Sequence, residues 1–300
     1  MDIVQFFYVE IIPIGLWLIM FGMGMSLTLG DIKYVFVDPK AAVIGLTGQL
    51  ILLPALAFLL VEMLSPAPAI TVGLIILAAC PGGVTSNAYV FASRGDLALS
   101  VSLTGVSSFI TVFTIPLWTF LALDLYYAEA AIPDIPAFDM IYQLASLTIV
   151  PISGGMIVRA LKPEFAKRLV ETLRTITLLF LIVLVISGTM ASFPVLIANF
   201  GDAALIALLL NVCAMTMGFA LGRVFKLDIA KRVSITYEVG VQNLSLSFLV
   251  TLSLLQEPSL AASTLVYAIF MKITALSFLS FARRWLKQDA QIGVPVLDRT

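Results

Sequence analysis

The chain has 300 residues, of which 61% are hydrophobic and 12% are charged, and its mean hydropathy is +1.09. A soluble domain carries about 25% charged residues, so this composition excludes a water-soluble globule and indicates an all-α integral membrane protein. The sequence has no histidine, which excludes His-based catalytic triads and most zinc sites. Its net charge of −1 gives no electrostatic case for binding nucleic acid.

A helix that crosses a bilayer needs about 20 apolar residues. Nine such stretches are predicted, and we number them spans I to IX. They cover residues 8–28, 40–62, 69–94, 97–123, 138–160, 172–193, 202–224, 229–256 and 260–283. Spans III and VIII contain helix-breaking residues, whereas the other seven read as continuous helices.

Basic residues predict the orientation of these spans. Lys or Arg follows each odd-numbered span, for example Lys33, Arg94, Arg159, Arg223 and Arg283, and the loops after even-numbered spans contain neither. Basic loops face the cytoplasm. We therefore expect a multi-pass protein of the cell inner or plasma membrane, with its N-terminus outside and its C-terminus in the cytoplasm.

Span III is interrupted by Pro81-Gly82-Gly83, and Ser86 and Asn87 follow within four residues. Proline ends a helix because it lacks an N–H and clashes with the preceding turn. Backbone leaves the helix at membrane depth only where protein or a water-filled cavity satisfies its polar groups. The hydroxyl and the amide then lie near the start of a second half-helix.

Span VIII has a similar interruption, where Glu238, Gly240, Gln242 and Asn243 lie within six residues of an otherwise apolar stretch. Broken helices in corresponding halves of a sequence are typical of a transporter's binding site, because half-helix ends can hold ions or an anionic substrate. The alternative is that both breaks are packing kinks rescued by neighbouring helices.

Glu238 lies about seven residues past Arg232, which predicts a position below the membrane surface. A charge at the bilayer centre costs roughly 2.5–3.5 kcal/mol, so it needs a partner or a cavity unless the cytoplasm solvates it. Ser100 and Thr104 share one face of span IV, and Gln49 lies in the middle of span II. Taken singly, each side chain has an ordinary alternative role: Ser100 and Thr104 could bond their own backbone, and Gln49 could link two helices. Together with Glu238 they form an oxygen-rich set suited to Na⁺.

Lys272 lies in the middle of span IX, roughly 16 Å from Arg283 at helical rise. That depth is too great for its ammonium to reach the inner surface fully. Four roles remain open: pairing with Glu238, binding an anionic substrate, replacing a cation, or packing alone.

At these residues the chain resembles the bile acid:sodium symporter family, in its nine-span form with the N-terminus outside. The likeness covers about residues 8–285. Its most specific runs are Gly22–Thr28, Cys80–Asn87, Ala92–Ser100 and Glu238–Asn243.

The resemblance implies a secondary active transporter that couples Na⁺ to a bile acid-like or smaller organic anion by alternating access. It also implies inverted repeats, with a panel of spans I, V and VI and a core of spans II–IV and VII–IX in which the two broken helices cross. Two Na⁺ ions are expected. Lys272 departs from the family pattern, and its ammonium is a candidate to replace one of them.

The residues of both sodium sites are carried over by motif. The first site comprises Ser86, Asn87, Ser100, Thr104 and Glu238. The second comprises Gln49, Glu238, Gln242 and the backbone carbonyls of Val239 and Val241. Six polar residues within or next to the spans are candidates for the substrate cavity: Lys272, Asn243, Thr28, Thr111, Asn211 and Thr274.

Three alternatives to sodium symport remain. Proton-coupled or sodium-independent anion transport would use the same fold, with Glu238 as the proton carrier. A channel would be expected to show rings of like charge. An intramembrane enzyme would need a base or a paired carboxylate, and we expect no enzyme activity. The expected partners are a small organic anion and the lipid bilayer, without nucleic acid or an obligate protein partner.

Overall fold

The computed structural model describes residues 3–127 and 135–292. Within those ranges the chain is helical almost throughout, and its only β pairing is one isolated bridge between Gly82 and Gln242. The predicted all-α fold is confirmed. In chain order the helices are α1 (Phe7–Ser26), α2 (Leu29–Val37), α3 (Pro39–Leu64), α4 (Pro68–Ala79), α5 (Val84–Ser93), α6 (Leu97–Tyr126), α7 (Ala137–Leu161), α8 (Pro163–Ala198), α9 (Phe200–Val224), α10 (Ile229–Gly240), α11 (Leu244–Leu254) and α12 (Ala261–Ile292).

In the described ranges seven helices are long and apolar enough to cross a membrane, and they match the seven spans predicted as continuous. These are α1, α3, α6, α7, α8, α9 and α12. The two broken spans consist of shorter helices, so the count of nine crossings stays a prediction. Helix α8 begins nine residues before predicted span VI. Pro163 is a favourable first residue of a helix, and the polar residues that follow it are helical but add nothing to the apolar stretch by which the span was predicted.

Both predicted helix breaks are confirmed. Helix α4 ends at Ala79 and α5 begins at Val84, with extended backbone at Cys80 and Gly83. Helix α10 ends at Gly240 and α11 begins at Leu244. Span III is therefore α4 plus α5, and span VIII is α10 plus α11.

The two breaks lie against each other, as the family resemblance implies. The Asn243 N–H donates to the Pro81 carbonyl at 3.0 Å, next to the antiparallel bridge between Gly82 and Gln242. The unwound segments thus satisfy part of each other's backbone, which is the condition for leaving the helix at membrane depth. Each break supports the other.

The first half-helix of each broken span, α4 and α10, lies in the buried centre of the molecule. Every residue is buried from Ile70 to Ala79 in α4 and from Val233 to Gly240 in α10. Helix α8, by contrast, exposes many apolar side chains, including Leu178, Ile182 and Ile186. Such a surface suits contact with lipid.

Helices α1, α7 and α8 pack together on one side. At the contact of α1 with α7, a Cβ on Gly24 would lie 2.1 Å from the Ile152 carbonyl oxygen, and one on Gly155 would lie 2.3 Å from that of Phe21. Small residues at both positions let the two backbones approach closely, as is common between membrane helices. These three helices correspond to the predicted panel.

Helix α2 is a linker that the hydropathy pattern does not predict. The Thr28 hydroxyl and the Asp31 carboxylate form a capping box at its start. Its other contacts are with the core: Ser102 donates to the Asp31 carbonyl, and the Tyr34 hydroxyl donates to Asp96 at 3.3 Å. Helix α2 is thus fixed to α6, although it directly follows α1.

Candidate functional site

A buried carboxylate lies beside the helix crossing. Glu238, in the last turn of α10, is 1% exposed. Its Oε1 accepts a hydrogen bond from Thr104 at 2.7 Å, and its Oε2 accepts from Ser86 at 2.9 Å and from Ser100 at 3.3 Å. Helices α5, α6 and α10 therefore bring these four predicted residues together.

Asn87 completes the first cluster. Its Oδ1 accepts from the Ser100 hydroxyl at 2.6 Å and from the Thr104 hydroxyl at 3.4 Å. Asp96 caps the start of α6 by accepting from the Leu99 N–H at 3.0 Å, which fixes the turn that carries Ser100. All five residues predicted for the first sodium site thus lie in one hydrogen-bonded group.

The chemistry of this cluster favours a hard cation. Glu238 forms no ion pair with a Lys or Arg in the described part of the chain. A buried carboxylate without a counter-charge is costly, and hydroxyl donors compensate that cost only in part. In the same ranges, no three or more His, Cys, Asp or Glu side chains lie close enough together to hold a metal ion. Carboxylate, hydroxyl and amide oxygens suit Na⁺ better than a transition metal.

A second cluster joins α3 to the break in span VIII. The Gln49 Nε2 donates to Gln242 Oε1 at 2.8 Å and to the Cys80 carbonyl at 2.7 Å. The Gln242 Nε2 donates to the Val239 carbonyl at 2.7 Å, and Val241 lies in the unwound segment between them. Gln49 itself belongs to a π-helical turn, Gly48–Leu52, a feature frequent at functional sites.

The Gln49 Oε1 is the informative atom of this cluster. It is buried and accepts no hydrogen bond from any described residue. A buried amide oxygen without a donor costs about 1–3 kcal/mol. A cation bound beside it would remove that cost, so the second set of predicted residues also fits Na⁺.

The substrate candidates are dispersed. Asn243 caps α11 by accepting from the Leu246 N–H at 3.2 Å, and Thr111 is buried and donates to the Ser108 carbonyl at 3.3 Å. Thr28, besides capping α2, lines a cavity of about 710 Å³ that also borders Arg159. Of these three residues, Thr28 borders a described cavity.

Asn211 and Thr274 lie at the second break. The Thr274 hydroxyl donates to Asn211 Oδ1, and Asn211 Nδ2 donates to the Gly240 carbonyl at 2.9 Å. The Tyr267 hydroxyl donates to the same carbonyl at 3.0 Å, a contact that no sequence signal predicts. Asn211 is fully buried, so a direct role in lining a substrate cavity gains no support.

Lys272 is exposed in the middle of α12, on a face with Ile269, Ile273 and Leu276. The described ion pairs involve Lys167 and Lys231, and none joins Lys272 to Glu238. The pairing of Lys272 with Glu238 is therefore not formed: Lys272 is exposed, whereas Glu238 is buried. Replacement of a sodium ion by this lysine likewise gains no support.

Comparison with known proteins places the chain in a family. The profile of the Sodium Bile acid symporter family matches residues 13–199, which is more than half of the chain. The human ileal sodium/bile acid cotransporter is 31% identical over 90% of this chain and 78% of its own length. The uncharacterized sodium-dependent transporter YocS of Bacillus subtilis is 28% identical over 77% of this chain and 70% of its own.

A plant relative is also similar to nearly the whole chain, but the match covers a smaller share of the plant protein's own length. The probable chloroplastic sodium/metabolite cotransporter BASS2 of rice is 27% identical over 91% of this chain, which spans 64% of that protein. The family match, the human relative and the two helix breaks agree. The chain belongs to the sodium bile acid symporter family.

Proposed function

We propose that this protein is a secondary active transporter that couples Na⁺ to the uptake of a small organic anion by alternating access. The observation that carries the proposal is the buried Glu238 carboxylate, surrounded by hydroxyl and amide oxygens at the crossing of two broken helices. The relatives named as sodium-dependent transporters or cotransporters support it.

Two sodium ions are proposed. The first is held by Ser86, Asn87, Ser100, Thr104 and Glu238, so its binding joins α5, α6 and α10. The second is held by Gln49, Gln242 and Glu238 with the carbonyls of Val239 and Val241, so its binding joins α3 to the second break. Both ions fasten the helix crossing to the rest of the core.

The anion is proposed to bind where the panel faces the core. Val84 and Thr85, in the first turn of α5, are exposed, and the positive end of a helix dipole favours an anion. Lys272 is exposed at mid-helix, where contact with lipid would cost roughly 2.5–3.5 kcal/mol. A water-filled cavity that also admits an anion removes that cost, so we assign Lys272 to the substrate side.

In the proposed cycle the panel (α1, α7 and α8) moves against the core (α3–α6 and α9–α12). The N-terminus lies outside the cell and the C-terminus in the cytoplasm, as the basic loops predict. If two Na⁺ accompany one monoanion, a potential of 100 mV supplies ~2.3 kcal/mol and each tenfold Na⁺ gradient adds ~1.4 kcal/mol. The total of ~5 kcal/mol supports an accumulation of several thousandfold, on the order of 5,000.

The test is a titration of the purified protein with NaCl, against KCl at equal ionic strength, monitored by thermal unfolding. An ion that binds only the folded state stabilises it by about 2.7 kcal/mol at 100 times its Kd. We expect a saturable shift specific for Na⁺ that Glu238→Ala abolishes and Glu171→Ala, an exposed carboxylate on α8, retains.

Uptake of ²²Na⁺ into proteoliposomes then tests coupling, with taurocholate and short carboxylates as the anion probes. Anion-stimulated ²²Na⁺ uptake is expected. Equal stabilisation by K⁺, or a Na⁺ shift that persists in Glu238→Ala, would overturn the sodium sites. Anion uptake driven by a pH gradient without Na⁺ would establish the proton-coupled alternative instead.

A further inference from the structure

The carbonyl of Gly240, the last residue of α10, receives two side-chain hydrogen bonds. Asn211 Nδ2 on α9 donates at 2.9 Å, and the Tyr267 hydroxyl on α12 donates at 3.0 Å. Asn211 and Tyr267 are fully buried, and the Thr274 hydroxyl one to two turns further along α12 donates to Asn211 Oδ1. Two side chains from two helices thus contact one peptide group of the second break, and a third side chain holds Asn211.

The first break has a related contact with one difference. There Gln49 Nε2 on α3 donates to the Cys80 carbonyl at 2.7 Å, just after α4 ends. In each case an amide from the preceding long helix holds the end of the first half-helix. The Gln49 oxygen has no donor among the described residues, whereas the Asn211 oxygen is occupied by the Thr274 hydroxyl. At the first break the Gln49 oxygen is free to bind a cation, whereas at the second break the Asn211 oxygen already accepts a hydrogen bond from Thr274.

We propose that Asn211, Tyr267 and Thr274 form a permanent brace that positions the second break for sodium binding, an inference that rests on the proposed function. Gly240 lies between Val239 and Val241, whose carbonyls are assigned to the second sodium ion. A peptide group is planar, so fixing the Gly240 carbonyl fixes the orientation of the Gly240–Val241 peptide, which lies between the Val239 and Val241 carbonyls. A site held in advance by surrounding hydrogen bonds binds its ion with less reorganisation.

The brace assigns different roles to the two breaks. Asn211 and Tyr267 are positioning residues, because they act on the sodium ligands through Gly240 and do not contact the ion. Span VIII is held with or without Na⁺, whereas the Gln49 link to span III changes when Na⁺ binds beside its free oxygen. The sodium-dependent change is therefore centred on α3 and the first break.

The decisive variant is Tyr267→Phe, which removes one hydroxyl and keeps the ring. Its matched control is Thr264→Val, on the same helix, which removes a buried hydroxyl that bonds Ser247 at 2.6 Å and does not contact Gly240. The measurement is the NaCl concentration that gives half of the Na⁺-specific thermal shift, together with the melting temperature without Na⁺. A positioning role changes the first quantity, whereas a purely structural role changes only the second.

We expect Tyr267→Phe to raise the half-saturating Na⁺ concentration about fivefold, the change that corresponds to one net hydrogen bond. Thr264→Val should lower the melting temperature by about as much as Tyr267→Phe does, and it should keep the half-saturating Na⁺ concentration of the wild type. If Tyr267→Phe does not fold, Thr274→Ala, which frees the Asn211 oxygen, should raise half-saturation in the same direction. Wild-type half-saturation in the brace variants would overturn the brace alone. Absence of any Na⁺ response in the wild type would overturn the proposed function and the brace with it.

Discussion

The Thr104 hydroxyl donates to Glu238 Oε1 at 2.7 Å, although the two residues are 134 positions apart in the chain. This contact joins the second turn of α6 to the last turn of α10 and brings together an oxygen of each helix at the proposed first sodium site. The strength of the site therefore depends on a contact that forms only after the two halves of the core have packed.

Replacing Thr104 with Val removes this donor and keeps the shape of the side chain. We expect the loss to cost about 1–3 kcal/mol, because the carboxylate loses a partner and Na⁺ loses a ligand. The half-saturating Na⁺ concentration should rise at least about fivefold, measured by the Na⁺-specific thermal shift.

Thr119→Val is the matched control for Thr104→Val. Thr119 is also buried on α6, but its hydroxyl has no hydrogen-bond partner among the described residues. Removing an unpaired buried hydroxyl is neutral or stabilising. Similar losses of Na⁺ response in the two variants would show that the Thr104 contact with Glu238 has no specific role.

Gly82 is required by its distance from Glu238. A Cβ at Gly82 would lie 2.2 Å from Glu238 Oε1, whereas a Cβ at Gly83 would meet nothing nearer than 3.8 Å. Gly82→Ala should therefore displace the carboxylate, lower the melting temperature and abolish the Na⁺-specific shift. Gly83→Ala should keep a melting temperature near that of the wild type. A wild-type Na⁺ response in Gly82→Ala would contradict the geometry of the first sodium site.

Much of the site could be predicted from the sequence. Polar residues are conspicuous in apolar spans, and Pro81-Gly82-Gly83 identifies the first break directly. The structure brings Ser86, Ser100, Thr104 and Glu238 within hydrogen-bonding distance of one another or of a shared partner, as the motif implied. Their role as sodium ligands stays a prediction.

Other features could not be predicted because they depend on partners that are distant in the chain. Asn211 reads as a polar residue in the middle of a helix, and nothing in the sequence shows that it contacts the Gly240 carbonyl instead of a cavity. Tyr267 reads as an ordinary aromatic residue. Helix α2 is too short and too polar to give a hydropathy signal. The exposure of Lys272 depends on which face α12 turns toward its neighbours, and the sequence of α12 alone does not determine that face.

Asp38, at the start of α3, should make the stability of its contact with Lys231 on α10 depend on pH. The Lys231 ammonium lies 2.7 Å from its Oδ2, and the hydrogen bond from that ammonium holds the pKa of the Asp38 carboxyl below its usual value of 3.8. A lowered folded-state pKa contributes stability above the unfolded pKa and loses it as the pH falls through the folded pKa.

Asp38→Asn should accordingly lower the melting temperature at pH 6, and its difference from the wild type should shrink as the pH falls through the folded-state pKa, which lies below 3.8. Thermal unfolding between pH 2.5 and 6 measures the difference. Because the pair is partly exposed, high salt should reduce it. A difference that stays constant down to pH 2.5 would show that the ion pair with Lys231 is not its source.

Replacing Lys272 should weaken binding of the transported anion and leave sodium binding unchanged. It is exposed on α12 and pairs with no described carboxylate, so its removal frees no buried charge and displaces no proposed Na⁺ ligand. We expect Lys272→Ala to keep the Na⁺-specific thermal shift and to raise the KM of anion uptake roughly tenfold, the effect of losing about 1.4 kcal/mol of charge-assisted binding. Lys272→Arg retains the charge and should recover most of the affinity. Lys162→Ala, which removes an exposed lysine just after α7, serves as the control for a general loss of positive charge. Loss of the Na⁺ shift in Lys272→Ala, or an unchanged KM, would remove this lysine from the substrate side of the site.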